Sequence, residues 1–209
     1  MIADLLSHFG TDLSKRLGSG GEATVYAIDN ARVLRLHNPD ADPQSFALRN
    51  QLIDRLDATG LGFSVPQLLD SGQIEGRIFS VETRIPGQSM DKELKRLTGR
   101  TREDLIQCYL ETSLKIKELC TAPMWFGDAA RADDIRSDTL AEYMRQRASA
   151  SLKTAGLSAD VDAIVAAIKT DGTPGLVHLD YFPGNVMSED GQVTGVIDFG
   201  YSTMGSNVF

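Results

Sequence analysis

Ile2, Leu5, Leu6 and Phe9 recur at i, i+3, i+4 and i+7, which predicts a short amphipathic helix over residues 1–9. From Leu13 the pattern changes to strand-like segments at 13–17, 23–28 and 32–36. The glycine cluster at 18–21 joins the first two, and Asp29-Asn30, a tight-turn pair, joins the last two. Residues 45–56 return to helical spacing, with Leu52, Ile53 and Leu56 on one face. Two more strands are expected at 67–72 and 77–84, turned at Glu75-Gly76, before Pro86-Gly87 punctuates the chain. Helical pattern then dominates at 101–119, 138–152 and 158–168. Thr101 with Asp104 reads as a capping box, and 121–137 as a loop or short turn. The end is β again: 176–178, 186–187, a turn at Asp190-Gly191, and 193–198.

A hydrophobic fraction of 42% over 209 residues supplies enough apolar side chain for a core and excludes a disordered or fibrous chain. With 21 basic against 29 acidic residues the formal charge is −8, which argues against a nucleic-acid partner held through its phosphates. No apolar run is long enough to span a bilayer and the first ten residues lack signal-peptide features, so the expectation is a cytoplasmic protein with no membrane partner. Cys108 and Cys120 have no His or Cys at metal-site spacing and read as reduced structural thiols.

Chemistry concentrates near the end, in Val177-His178-Leu179-Asp180-Tyr181-Phe182-Pro183-Gly184-Asn185 and Val196-Ile197-Asp198-Phe199-Gly200. Taken singly, Asp180 reads as a loop cap and Asn185 as a turn residue. Together with Asp198, across a hairpin, they are what phosphoryl transfer from a nucleotide needs: one carboxylate to take the proton of the attacking hydroxyl, and an amide oxygen and a second carboxylate to hold Mg²⁺ against phosphates. His178 reads as a brace for this loop, not a base, and His8 and His37 as surface or packing residues. A second signal is Leu17-Gly18-Ser19-Gly20-Gly21-Glu22-Ala23-Thr24-Val25-Tyr26. A glycine-rich turn lets backbone N–H groups approach phosphates, with Val25 over a base; the same string also makes an ordinary hairpin. It is not a Walker A loop, since no G-K-[ST] follows.

These motifs resemble the aminoglycoside phosphotransferase and choline kinase family, the small-molecule branch of the protein-kinase-like fold. The likeness runs from about Leu13 to Gly205. It implies an α+β, two-lobe fold: a β-rich N-lobe over 1–84, a hinge at 85–88 and a mainly helical C-lobe over 89–209. It further implies Asp180 as catalytic base, Asn185 and Asp198 as Mg²⁺ ligands, and Gly18, Gly20, Gly21 and Val25 in a nucleotide lid. The backbone of Glu82, Thr83 and Ile85 would grip the base, with ATP, or GTP, as cofactor beside Mg²⁺. Arg-Ile-Pro-Gly after the strand at 77–84, and the lack of an A-P-E motif after Asp198-Phe199-Gly200, favour the small-molecule group over protein kinases.

The chain also departs from the family. Arg35 stands where a β-strand lysine pairs the α- and β-phosphates, keeping the charge as a planar fork. The helix at 45–56 offers no Glu to steady it. Arg49 centres that helix's apolar face, so two arginines are expected to face the site where one ion pair belongs, and Asp54 projects elsewhere. Lys15 reads as a solvated surface residue.

The expected partner is a small-molecule hydroxyl acceptor; oligomeric state is not legible. Asp128, Asp133, Asp134, Asp138 and Glu142 would steer a cationic amino sugar or amino alcohol, or are a solvated helix start; Trp125 and Phe126 read as packing. The rival to a small-molecule kinase is a non-catalytic, nucleotide-binding pseudokinase. By resemblance, an acidic segment and several helices should follow Gly205. The chain ends 11 residues beyond Asp198, so the expectation is a full nucleotide and metal site, an incomplete acceptor site and a fold lacking its last helices.

Overall fold

The computed structural model describes residues 2–122, 125–132, 135–168 and 173–206. Its first part is a five-stranded antiparallel sheet in the order β1-β2-β3-β5-β4, built from β1 (Arg16–Ser19), β2 (Ala23–Ala27), β3 (Arg32–His37), β4 (Leu68–Ile74) and β5 (Arg77–Thr83). The alternation of a strand decides what each face carries. Leu34 and Leu36 of β3 and Phe79 and Val81 of β5 turn to one face, where they bury Leu5 and Leu6 of α1 (Ile2–His8). The intervening residues, Arg35 and His37 on β3 and Ser80 and Glu82 on β5, share the opposite face. Register sets Val25, Arg35 and Ser80 side by side, and Val33 beside Glu82. That face looks toward α2 (Pro43–Ile53), which starts on Asp42, whose carboxylate accepts the N–H groups of Gln44 and Ser45.

The second part is mostly helical, with α3 (Met90–Glu93), α4 (Gly99–Lys115), α5 (Leu140–Ala155) and α6 (Val161–Ala167). β6 (Gln88–Ser89) joins the hairpin of β10 (Val186–Glu189) and β11 (Gln192–Val196). A further sheet takes β7 (Phe126–Asp128), β8 (Arg136–Ser137), β9 (Pro174–Val177) and β12 (Thr203–Ser206). One core unites this part: Leu105 of α4, Leu119, Leu176, Val186, Val196 and Phe199 are all almost wholly buried, and Leu52 and Ile53 of α2 belong to the same cluster. Helix α2 thus packs its apolar end on the second part while its middle faces the sheet of the first.

Most expected elements form within two or three residues of their sequence bounds, and the hairpin turns fall where expected. Glu75-Gly76 and Asp190-Gly191 both take positive φ at both residues, the conformation of a two-residue turn whose twist suits antiparallel strands. Three differences have physical causes. The strand expected at 13–17 begins only at Arg16, because Asp12 caps a 3₁₀ turn over Leu13–Lys15 by accepting Ser14 N–H. The capping box at Thr101 does not form: α4 starts two residues earlier after Thr98, and Thr101 packs against the Gly191 turn. The region 121–137 contains β7 and β8, two- and three-residue strands that exist because β12 comes back to pair with β7. No described helix is long and apolar enough to cross a membrane.

Candidate active site

A cavity of about 370 Å³ opens between the two parts. Leu17, Gly18 and Val25 roof it, Thr83 to Ile85 form its inner edge, and Met187, Ile197 and Asp198 line it from the second part. Of the residues singled out from sequence, Gly18, Val25, Arg35, Glu82, Thr83, Ile85 and Asp198 all line this one cavity. Gly20 does not; its N–H bonds Ala23 O, and Gly21 lines a neighbouring cavity, where its carbonyl accepts from Asn38 Nδ2. A Cβ placed on Gly18, Gly20 or Gly21 would meet nothing within 4 Å, and none of the three has positive φ. Neither crowding nor backbone conformation therefore calls for glycine there.

Along the inner edge, Thr83 N–H bonds Gln67 O at 2.9 Å and Arg84 N–H bonds Ala31 O at 2.8 Å. Pro86 has no N–H, so Ile85 carries the amide donor at this edge that the sheet leaves unused.

Asp180 and Asn185 stand together next to the lining. Asn185 Nδ2 donates to the Asp180 carboxylate at 2.9 Å and to the Asp180 carbonyl at 3.0 Å. With both amide hydrogens so spent, the amide oxygen is left facing away from Asp180. Ile197 N–H bonds Asn185 O at 2.9 Å, tying the loop to the strand that leads into Asp198. His178 braces the same joint: its Nδ1 accepts Asp180 N–H at 3.3 Å, which puts the ring proton on Nε2, 3.0 Å from Ile197 O. Burial lowers the His178 pKa, so the ring is a neutral strut, as expected from sequence. Leu179 and Asp198 both adopt left-handed backbone, at φ 59° and 66°, an uncommon conformation for residues other than glycine that gathers here at two turns of one site. Tyr109 of α4 stacks on Tyr181 with ring centres 4.5 Å apart, and each hydroxyl donates to the other's carbonyl, at 3.1 and 2.7 Å.

On the sheet side, Arg35 Nη2 donates to Asp198 Oδ1 at 3.1 Å and lies 3.6 Å from Glu22 of the glycine-rich turn. Arg49 does not face the cavity as a free cation. Both its terminal nitrogens bind Glu82, at 2.9 and 3.2 Å, and Ser80 Oγ donates to the same carboxylate at 2.6 Å. Burial alone would raise the Glu82 pKa, but Arg49, Arg35 and these hydrogen bonds outweigh it and hold it at about 2. The expectation of two unpaired arginines is corrected: β5 supplies the acid that the helix lacks. A sequence signal existed, since Ser80 and Glu82 are polar positions flanking Val81 and alternating with the apolar Phe79 and Val81, on the face that carries Arg35.

Other sequence candidates fall elsewhere. The Asp128 carboxylate is used by Ala130 and Arg131 N–H groups and the Arg131 guanidinium, and Glu142 by Gln146 and Arg145. Asp138 is exposed, and Asp133 and Asp134 lie outside the described residues. Trp125 donates its indole N–H to Asp128 O and stacks under Arg136, a packing role. Lys15 is exposed and reaches Gly10 O at 3.4 Å.

A β-rich lobe roofed by a glycine turn, over a mainly helical lobe carrying an H-x-D-x₄-N loop and a D-F-G turn, defines a protein-kinase-like two-lobe fold. The phosphotransferase enzyme family matches this chain over residues 14–208, and the chain belongs to it. Among curated relatives it is 25% identical to homoserine kinase of Chelativorans sp. (strain BNC1), over 95% of this chain and 60% of that protein. The chain thus spans less than two thirds of that relative's length. Among solved structures it is similar to the ADP-bound aminoglycoside phosphotransferase APH(2'')-Ib, with a TM-score of 0.58, 16% identity and coverage of 98% of this chain and 72% of that one. The streptomycin–ATP complex of APH(2'')-IIa gives 0.56, 17% and the same coverage.

Proposed function

We propose that this chain binds a nucleoside triphosphate with Mg²⁺ and transfers the terminal phosphoryl group to a hydroxyl of a small molecule. The observation that carries the reading is the convergence of Asp180, Asn185 and Asp198 beside the cavity that Gly18, Val25 and Arg35 also line. Asp180 would accept the proton of the acceptor hydroxyl as its oxygen attacks phosphorus and the nucleoside diphosphate leaves. Gly18 supports a ligand role, because the fold around it does not require glycine whereas a close phosphate would. Ile85 N–H is the donor available to the base, and Arg35 the cation available to phosphates.

The donor set fits Mg²⁺. Asn185 presents an amide oxygen fixed by Asp180, and Asp198 a half-exposed carboxylate; Mg²⁺ characteristically takes one or two such oxygens and completes its shell with water and substrate phosphates. When bound, the cation would offset the charge that develops on those phosphates. We assign residues 1–84 and 89–209 to the two lobes and 85–88 to the hinge. The names of two similar proteins, homoserine kinase and aminoglycoside phosphotransferase, support an acceptor that carries both an amine and a hydroxyl.

The test is ATP consumption across amino alcohols, amino sugars and neutral sugars, run with Asp180→Asn and Asp198→Ala. Asp180→Asn should cut turnover by about 10²–10⁴-fold with ATP affinity held within a few-fold; Asp198→Ala should weaken Mg·ATP binding itself. Turnover that survives Asp180→Asn refutes the base assignment, and ATP binding without turnover on any acceptor favours the pseudokinase.

A further inference from the structure

We infer that Glu82 and Arg49 form a positioning pair for the phosphate end of the cleft: a carboxylate from β5, not from α2, fixes the helix to the sheet and leaves Arg35 to meet phosphate. The inference rests on the nucleotide reading above.

The buried residues of α2 are Arg49, Asn50, Leu52 and Ile53, none of them acidic. Arg49 and Glu82 have side chains only 3% and 5% exposed and meet through two parallel hydrogen bonds, the geometry that fixes direction as well as distance. Ser80 adds a third bond to Glu82 Oε1, and among the described residues no hydrogen bond runs from Arg35 to this carboxylate. Yet Arg35 is close: it sits opposite Ser80 and one diagonal step from Glu82 on the same sheet face. Its charge is one of the influences that hold Glu82 ionised, and the attraction is mutual. The hydrogen bond and ion contact of the Arg35 guanidinium go to Asp198 and Glu22, on the metal turn and the glycine-rich roof. Those are the two places where an incoming phosphate would compete for it.

Without Glu82, two guanidinium groups would be buried side by side and Arg49 would repel Arg35 from its seat. Arg49 does not line the cleft, and its side chain, 3% exposed, is held on Glu82. The labour is therefore divided: Arg35 meets phosphate, while Arg49 and Glu82 hold the frame that aims it.

The experiment compares dissociation constants for adenosine and for Mg·ATP, whose ratio isolates the phosphate contribution. The variant Arg49→Met/Glu82→Gln removes both charges, keeps an acceptor for Ser80 and avoids a lone buried charge. The expected result is a folded protein with adenosine affinity near wild type and a ratio reduced by about tenfold or more. An unchanged ratio in the folded double variant overturns the inference, since a purely structural pair would leave phosphate affinity alone. Should that variant not fold, Arg49→Lys keeps the charge and loses the second bond; a ratio lowered by a few-fold supports the inference and an unchanged one overturns it. A wild-type protein that binds neither probe overturns the nucleotide reading and the inference with it, so the two failures are told apart by the wild-type measurement.

Discussion

Replacing Glu82 with Gln keeps the shape of the side chain and one acceptor for Ser80, and removes only the charge that faces Arg49. The size of the effect follows from the carboxyl group's own titration. Its pKa is 4.5 in an unstructured chain and about 2 in the fold, despite burial, because Arg49 and Arg35 and the hydrogen bonds from Arg49 and Ser80 favour the ionised form. At about 1.4 kcal/mol per pH unit the difference corresponds to roughly 3 kcal/mol of stability carried by the ionised group. That agrees with the roughly 3–5 kcal/mol lost when one partner of a buried pair is removed.

The pH dependence has a definite sign. Because the folded pKa lies below the unfolded one, the unfolded chain takes up this proton first as pH falls. The contribution is complete well above pH 4.5, shrinks as pH drops below that value, and is gone once pH passes the folded value of about 2. Urea unfolding of wild type and Glu82→Gln at 25 °C should therefore differ by about 3 kcal/mol at pH 7, with the gap closing between pH 4.5 and 2.5. Other carboxylates titrate in both proteins and cancel in the difference. In thermal melts at neutral pH the same gap lowers Tm by about 6–12 °C for a chain of this length. A gap below about 1 kcal/mol at pH 7, or one that stays constant down to pH 3, refutes the buried ion pair as drawn.

Two further changes test the supports of the site. Tyr109→Phe deletes the hydroxyl that donates to Tyr181 O at 3.1 Å while keeping the stacked ring; it should cost about 1 kcal/mol in urea unfolding and lower turnover, since Tyr181 follows Asp180 directly. Equal turnover in the two proteins would show that the Asp180 loop does not depend on α4. Gly87→Ala should destabilise by at least about 2 kcal/mol, because Gly87 has φ 88° and a Cβ there would collide with the Ser188 carbonyl; a Tm within 2 °C of wild type would mean that the 85–88 segment relaxes freely.

What could be read in advance depended on how far apart in the chain the cooperating residues lie. Asp180, Asn185 and Asp198 fall within one loop and one hairpin, so their spacing alone specified that they meet, and the Asp190-Gly191 turn between them was itself legible. The sheet was legible for the same reason: alternation at Arg32–His37 and Arg77–Thr83 marks which residues share a face. Arg49 and Glu82 are 33 positions apart on different elements; Arg49 stood out as a cation on an apolar helix face, whereas Glu82 was read as a hinge residue. Neither reading names the partner; only the packing of α2 on the sheet does. β7, β8 and β12 were missed because strands of two to four residues owe their existence to distant pairing and not to local pattern.

The placement of the acid changes what a displacement of α2 does. With a glutamate on the helix and a cation on β3, as the family resemblance led one to expect, helix movement would act on the phosphate ligand directly. Here α2 is bonded to β5 and not to the cation on β3, so a shift of the helix reaches the phosphate end of the cleft through Glu82. Arg35 feels that shift only through charge, across one diagonal step of the sheet. Its direct bond instead runs to Asp198, with Glu22 beside it, joining the glycine-rich roof to the Asp198 turn. A loss of the Arg49–Glu82 bonds should loosen phosphate alignment while leaving Asp180, Asn185 and Asp198 in register, because those three are held by His178, Ile197 and the Tyr109–Tyr181 pair and, among the described residues, share no hydrogen bond with α2.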